Sequence, residues 1–160
     1  MPSPPLRLGL IGLGNIGRHH ASYLMDGRVE RCVLTAVCAP TASKLEPYRE
    51  RGLQGFTEAT ALFASGMVDA VLIATPHYQH TTLGMAALEA GLHVMVEKPI
   101  SAHKADAERL LGCAALHPQQ VLAGGGESDV ELVRVGETNL GLLAGGGADF
   151  TKNFRMDIGG

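Results

Sequence analysis

The hexapeptide at residues 12–17 reads Gly12-Leu13-Gly14-Asn15-Ile16-Gly17, with glycine at its first, third and sixth positions. It follows the apolar run Leu6–Ile11 directly, and a stretch with helical periodicity comes after it. A glycine triad alone is weak evidence in a chain with 21 glycines. A triad between a strand pattern and a helix pattern is typical of a dinucleotide-binding turn. The sequence therefore predicts a strand, a glycine turn and a helix at its start.

Each glycine of this turn has a physical reason to lack a side chain. We expect Gly12 to permit a tight turn, Gly14 to let a pyrophosphate approach the backbone, and Gly17 to let the helix pack close to the strand. The helix would then present free N–H groups and the positive end of its dipole to the phosphates. The expected cofactor-binding residues of this region are Gly12, Gly14, Asn15, Ile16, Gly17 and Arg18.

Short apolar runs alternate with helical patterns along the first three quarters of the chain. This alternation predicts an α/β fold of the Rossmann type, a doubly wound parallel sheet with helices on both faces. Such a sheet binds nucleotides at the carboxyl ends of its strands. Thr41 or Ser43 is the expected N-cap of the second helix. The expected strands are residues 6–11, 33–38, 54–56, 69–74, 93–97 and 121–123, and the expected helices are residues 16–25, 41–51, 58–64, 81–90 and 102–115.

The composition predicts a globular protein and disfavours several classes of partner. The chain has 160 residues, of which 46% are hydrophobic and 18% charged, with a net charge of −3. Scattered charges and short apolar runs favour neither nucleic acid nor membrane as a partner. The first five residues lack the features of a signal peptide, which favours the cytoplasm. Three cysteines without C-x-x-C spacing predict reduced buried thiols, and no metal site is expected.

The composition changes after Pro118. Residues 119–160 contain ten glycines, no proline and no histidine, and they include two triple-glycine runs. We therefore divide the chain into a dinucleotide-binding domain, residues 1–118, and a glycine-rich tail, residues 119–160. Within the tail, residues 131–135 show some alternation typical of a strand, and residues 140–144 form a short apolar run.

Three segments together point to a known family. The first is residues 9–17 followed by His20, and the second is residues 71–80, which read Val-Leu-Ile-Ala-Thr-Pro-His-Tyr-Gln-His. The third is residues 89–99, which end in Glu-Lys-Pro and are the most specific of the three. In sequence and spacing, these segments resemble the N-terminal domain of the Gfo/Idh/MocA oxidoreductases, which include glucose-fructose oxidoreductase and inositol dehydrogenase. The resemblance extends over residues 6–117.

The resemblance implies a nicotinamide-dependent dehydrogenase of sugars, polyols or related carbonyl compounds. Lys98 would lie beside the nicotinamide and donate a hydrogen bond to the reacting oxygen. Glu97 would orient that lysine or hold the strand end, and Pro99 would shape the turn through an X-Pro bond that can adopt the cis form. Glu97 and Lys98 are thus the expected catalytic residues. The further cofactor-binding residues implied are Ala74, Thr75, Pro76, His80, Glu97, Lys98 and Pro99.

The end of the second strand bears on the choice between NAD and NADP. In NAD-binding folds an acidic residue at this place binds the ribose 2′-OH. Residues 37–41 contain no carboxylate, and Thr41, Ser43 and Lys44 follow as hydrogen-bond donors. These donors, with help from Arg18, would attract a 2′-phosphate. We therefore predict NADP over NAD, with Thr41 and Lys44 among the cofactor-binding residues.

Two interpretations of function remain open from the sequence. Members of the family carry a second, α+β domain that supplies an Asp and a His, and no histidine follows His117 in this sequence. A short glycine-rich extension is expected in place of that domain. The first interpretation is an oxidoreductase, or its cofactor-binding portion, acting on a small-molecule substrate. The alternative is a non-catalytic dinucleotide-binding module or truncated half-enzyme. Strands in the tail could also pair two chains into a homo-oligomer.

Four histidines of the first 118 residues could have a structural role instead of a functional one. His19 and His20 lie on the first predicted helix, where packing or a surface position is expected. His77 and His80 follow the fourth predicted strand, where helix capping and loop hydrogen bonds compete with a place in the cofactor crevice. Their spacing does not match that of a metal cluster.

Overall fold

The computed structural model describes residues 4–125 and the short strands at residues 130–131, 140–142 and 156–158. Its strands are β1 (Leu6–Ile11), β2 (Cys32–Cys38), β3 (Gln54–Phe56), β4 (Ala70–Ile73), β5 (His93–Val96), β6 (Leu122–Gly125), β7 (Val130–Glu131), β8 (Leu140–Leu142) and β9 (Met156–Ile158). Its α-helices are α1 (Asn15–Met25), α2 (Ala42–Arg49), α3 (Ala59–Phe63), α4 (His80–Glu89) and α5 (Lys104–Ala115), and a single 3₁₀ turn spans His77–Gln79.

The main sheet has the strand order β3-β2-β1-β4-β5-β6-β7. Strands β1 to β6 are parallel, and β7 pairs antiparallel with β6. Strand β1 lies between β2 and β4, so the chain reverses its direction of winding at β1. In such sheets the carboxyl ends on either side of this switch point form a ligand crevice. The predicted Rossmann-type doubly wound sheet is confirmed. Strands β8 and β9 form a separate antiparallel pair.

The central strands are buried on both faces, which explains their uninterrupted apolar sequences. Leu10 and Leu72 belong to a core on one face of the sheet, which includes residues of α1 and α2. Val71 and Ile73 belong to a core on the other face, which includes residues of α3, α4 and α5. All four side chains are buried. Alternate residues of β4 thus pack against opposite helical layers, because side chains alternate along a strand.

The start of helix α5 and the N-cap of helix α2 differ from expectation for local reasons. Helix α5 begins at Lys104, two residues later than expected, because His103 adopts an extended backbone at the N-cap position. Thr41 does occupy the N-cap position of α2, but its side chain makes no capping hydrogen bond. The capping interaction expected there is therefore absent.

The glycine-rich tail is described only in part. Strand β6 pairs with β5 and extends the sheet past residue 118, the predicted domain boundary. Of the strand expected at residues 131–135, only Glu131 is described, as the second residue of β7. Of the apolar run at 140–144, residues 140–142 are described, as β8. The second triple-glycine run, at residues 145–147, lies outside the described residues. The division of the chain into two regions remains a prediction.

The three cysteines are unpaired and buried. Burial raises the pKa of Cys32 to about 11. Burial, with a smaller contribution from the charge of Glu58, raises the pKa of Cys38 to about 11 as well. Both side chains are therefore protonated thiols at neutral pH, which makes them poor nucleophiles and poor metal ligands.

Over the residues that the structure describes, no three His, Cys, Asp or Glu side chains are grouped as metal ligands would be. No helix within the described ranges is long and apolar enough to cross a membrane.

Candidate cofactor-binding site

Three turns that carry predicted site residues meet at the carboxyl edge of the sheet. They are residues 12–17 after β1, residues 74–76 after β4 and residues 97–99 after β5. Main-chain hydrogen bonds continue across the strand ends into these turns. The Ala74 amide donates to the Ile11 carbonyl at 2.8 Å, and the Glu97 amide donates to the Ile73 carbonyl at 2.9 Å. The sheet therefore brings residues separated by more than 80 positions in sequence to one edge.

The turn after β1 is packed against the end of β4. Gly12 has a φ of +100°, a backbone conformation that L-residues with side chains rarely adopt. A Cβ added to Gly12 would lie 2.6 Å from the Ala74 carbonyl oxygen. A Cβ on Gly17 would lie 1.9 Å from the Gly12 carbonyl oxygen. The turn can thus close onto β4 and α1 only with glycine at these two positions.

Gly14 differs from its two neighbours in the triad. A Cβ added at Gly14 would meet no heavy atom within 4 Å, and its backbone is extended, with a φ of −72°. Gly14 is the N-cap residue of α1 and makes no side-chain capping bond to the first amides of the helix. The space at Gly14 and the uncapped helix start together provide a cradle for an anionic group. Nothing in the packing of the turn itself requires glycine at this position.

Three other predicted residues of the first turn are exposed. The Arg18 guanidinium donates a hydrogen bond to the Asn15 amide oxygen at 2.7 Å, which holds both side chains at the start of α1. Ile16, on the first turn of α1, is 45% exposed. All three side chains are accessible to a ligand at the carboxyl edge.

The end of β2 contains no carboxylate in the structure, as in the sequence. Thr41 and Lys44 are both exposed at the start of α2, and the Lys44 amide donates to the Thr41 carbonyl at 3.1 Å. The first acidic residue beyond β2 is Glu46, whose carboxylate pairs with Arg49 at 2.7 Å. The cationic and hydroxyl side chains near this strand end are therefore accessible, and the first acidic side chain that follows in the sequence is already paired.

The turn after β4 contains three predicted residues in different environments. Ala74 is buried, Thr75 is half-buried and Pro76 is exposed. His80, the first residue of α4, is only 1% exposed. Its Nδ1 lies 2.9 Å from the Pro99 carbonyl oxygen and its Nε2 lies 2.9 Å from the Thr75 carbonyl oxygen. The structure thus places the His80 ring beneath the crevice, between the turns after β4 and β5.

The turn after β5 carries the two expected catalytic residues. Lys98 is exposed, whereas Glu97 is buried. One carboxylate oxygen of Glu97 bonds to Nε2 of His20, and the other accepts the Lys98 main-chain N–H at 3.2 Å. Burial opposes ionisation of Glu97, but the hydrogen bond and charge of His20, aided by Lys98, outweigh it and lower the pKa of Glu97. The Lys98–Pro99 peptide bond is cis.

The role of His20 is the main feature of the site that sequence reasoning missed. We expected packing or a surface position for it, and its ring is indeed buried, but it also bonds to the Tyr23 hydroxyl and the Glu97 carboxylate. A signal was available, since Gly17, His20 and Leu24 share one face of α1 at helical spacing. That spacing indicates a buried position but does not identify Glu97, 77 residues away, as the partner.

A model of the oxidoreductase family with an NAD-binding Rossmann fold matches residues 6–124, which include all three turns of the site. The chain belongs to the Gfo/Idh/MocA oxidoreductase family. The resemblance found in the sequence is thereby confirmed, and so is the expectation of a nicotinamide dinucleotide as the cofactor of its fold.

Similar proteins include dehydrogenases of polyols and sugar nucleotides. Inositol 2-dehydrogenase of Corynebacterium glutamicum (strain R) is 36% identical over 101 residues, which are 62% of this chain and 30% of that enzyme. UDP-N-acetylglucosamine 3-dehydrogenase of Acidithiobacillus ferrooxidans is 32% identical over 118 residues, which are 68% of this chain and 33% of that enzyme. This Gfo/Idh/MocA chain thus spans about a third of the length of these relatives.

One similar solved structure contains bound ligands. Scyllo-inositol dehydrogenase from Lactobacillus casei, crystallised with NAD(H) and scyllo-inositol, matches this Gfo/Idh/MocA chain with a TM-score of 0.70 and 27% identity. The match covers 76% of this chain and 36% of that one. It agrees with the family assignment in both fold and sequence.

Proposed function

We propose that this chain binds NAD(P) at the carboxyl edge of its sheet and is the cofactor-binding part of a sugar or polyol dehydrogenase. The observation that carries the proposal is the glycine turn after β1. Gly12 and Gly17 close the turn, and Gly14 leaves open space at an uncapped helix start. The exposed Lys98 lies on a turn at the same edge. The substrates named for the relatives support a small polyhydroxy or carbonyl compound as the partner.

The residues of the site fit a dinucleotide. The space at Gly14 and the first amides of α1 would hold the pyrophosphate, because a helix N-terminus attracts anions. When bound, the nicotinamide supplies the hydride acceptor or donor. Lys98 would donate a hydrogen bond to the substrate oxygen and stabilise negative charge that develops on it. Glu97 would hold the main chain at Lys98, since its carboxylate is already bonded to His20.

The proposal is tested by titration of the full chain with NADH and NADPH, followed by a turnover assay. We expect saturable binding of at least one reduced cofactor, detected by nicotinamide fluorescence. The assay then uses a panel of sugars, polyols and their oxidised forms. Failure to bind either cofactor would overturn the proposal. Cofactor binding without turnover, even with a partner chain added, would favour the alternative, a non-catalytic dinucleotide-binding module.

We predict tighter binding of NADPH than of NADH, by roughly tenfold, because a charge-assisted hydrogen bond contributes about 1.5–3 kcal/mol. Thr41, Lys44 and Arg18 are exposed donors, and residues 37–45 include no carboxylate that would repel a 2′-phosphate. A Lys44→Ala variant should lose affinity for NADPH and keep its affinity for NADH. The matched control is Lys104→Ala, which removes another exposed lysine side chain. Tighter binding of NADH by the parent chain would refute the NADP preference.

We further propose a cytoplasmic location, which the three unpaired, buried cysteines support, because disulfides are rare in reducing compartments. A homo-oligomer remains the proposed assembly. A single monomeric species in light scattering at high protein concentration would contradict it.

A further inference from the structure

Lys98 is exposed, but the main chain on either side of it is held by buried side chains. Glu97, on one side, is buried and bonds to His20 of α1. Pro99, on the other side, has its carbonyl oxygen 2.9 Å from Nδ1 of His80, on α4. Helices α1 and α4 belong to opposite layers of the sheet, so the segment is held from both faces.

The first contact passes from His20 through Glu97 to the Lys98 main chain. A carboxylate only accepts hydrogen bonds, so Nε2 of His20 carries the hydrogen in its bond to Glu97. Nδ1 of the same ring is hydrogen-bonded with the Tyr23 hydroxyl. The second Glu97 oxygen accepts the Lys98 N–H at 3.2 Å. The orientation of one ring therefore fixes the carboxylate that holds the Lys98 amide.

The second contact links two turns of the crevice. His80 is only 1% exposed, and its nitrogens lie 2.9 Å from the Thr75 and Pro99 carbonyl oxygens. Both carbonyls are acceptors, so the ring must donate to each bond that it makes. A neutral imidazole donates to one of them at a time, and a protonated ring donates to both. In either state the ring fills the space between the turn after β4 and the turn that carries Lys98.

We propose that His20 and His80 are positioning residues that fix the three-residue segment on which Lys98 is carried. The inference rests on the proposed function, because it assumes that Lys98 acts at the nicotinamide end of the site. Neither histidine would touch the cofactor. Each would act through a neighbour of Lys98 in the chain, His20 through the Glu97 carboxylate and His80 through the Pro99 carbonyl.

The test separates the nicotinamide end of the cofactor from the rest. Dissociation constants are measured for NAD(P)H and for ADP-ribose or its 2′-phosphate, which lack the nicotinamide. We expect His80→Gln and His20→Gln to weaken NAD(P)H binding about fivefold, as the loss of one net hydrogen bond does. ADP-ribose binding should change less than twofold. The control variant is His103→Gln, because the His103 side chain is exposed and belongs to neither contact.

A double-mutant cycle then asks whether the histidines act through Lys98. In a Lys98→Ala background, the added histidine substitutions should leave the ratio of the two dissociation constants unchanged. Equal loss of NAD(P)H and ADP-ribose binding, or a full additional loss in the Lys98→Ala background, would overturn the inference. Absence of NAD(P)H binding in the parent chain would instead refute the proposed function itself.

A measurement on the unmodified chain tests the inference even where the variants do not fold. Nitrogen-15 NMR of the histidine rings should show slowly exchanging ring N–H groups on His20 and His80, because both rings are buried and donate hydrogen bonds. His19 and His103 should exchange rapidly. Rapid exchange at either buried ring would contradict the contacts on which the inference rests.

Discussion

The Gly12→Ala variant is expected to melt roughly 10 °C below the parent chain and to lose dinucleotide binding. The φ of +100° at Gly12 is strained for alanine, at a cost of about 1–3 kcal/mol. The added methyl would also lie 2.6 Å from the Ala74 carbonyl oxygen and 2.8 Å from its carbonyl carbon. Forcing main chain apart at this contact adds about 1–3 kcal/mol. Thermal denaturation followed by circular dichroism measures the shift.

Gly14→Ala is the matched control, because it adds the same methyl group two residues away in the same turn. No heavy atom lies within 4 Å of the added position, and the extended backbone at Gly14 suits alanine. Its melting temperature should stay within about 2 °C of the parent, since surface substitutions usually change stability by less than 0.5 kcal/mol. Its dinucleotide affinity should nevertheless fall, because the methyl occupies the space proposed for the pyrophosphate. Parent-like melting of Gly12→Ala, or parent-like binding by Gly14→Ala, would show that the turn does not work as described.

The Lys98→Ala variant is expected to lower kcat by roughly 10²–10³-fold in any preparation of the protein that turns over substrate. The side chain is exposed at the carboxyl edge, and its main chain is held by Glu97. Removal of the amine takes away the donor proposed for the reacting oxygen and leaves the turn around it in place. The melting temperature should therefore stay close to that of the parent. Steady-state kinetics at saturating cofactor measures the effect, with NAD(P)H affinity falling only severalfold.

The Lys104→Ala variant controls for loss of a surface charge. The Lys104 side chain is 91% exposed on α5 and pairs with Glu108 at 3.6 Å. Its turnover should match that of the parent. If Lys98→Ala turned over at the parental rate as well, the catalytic assignment of Lys98 would be wrong, even if the chain bound cofactor tightly.

The order of strands and helices could be predicted because it depends on patterns between residues close in sequence. Uniform apolar runs predicted β1 and β4, and the glycine spacing predicted the turn between β1 and α1. The boundaries were less certain, because a residue such as His103 can join a helix or cap it. The sequence also does not show whether the Thr41 hydroxyl makes a capping hydrogen bond to α2, because that depends on the orientation of the side chain.

The sequence by itself determined the family, the parallel sheet and the turn in which only glycine fits at Gly12. These features follow from local spacing, and the backbone obeys the same steric rules wherever such a turn occurs. Only the tertiary structure decided that the His20 ring holds Glu97 and that the His80 ring lies between Thr75 and Pro99. The first pair is 77 residues apart in the chain. Such partners are chosen by the packing of helices on the two faces of the sheet, and no periodicity along the chain encodes that choice.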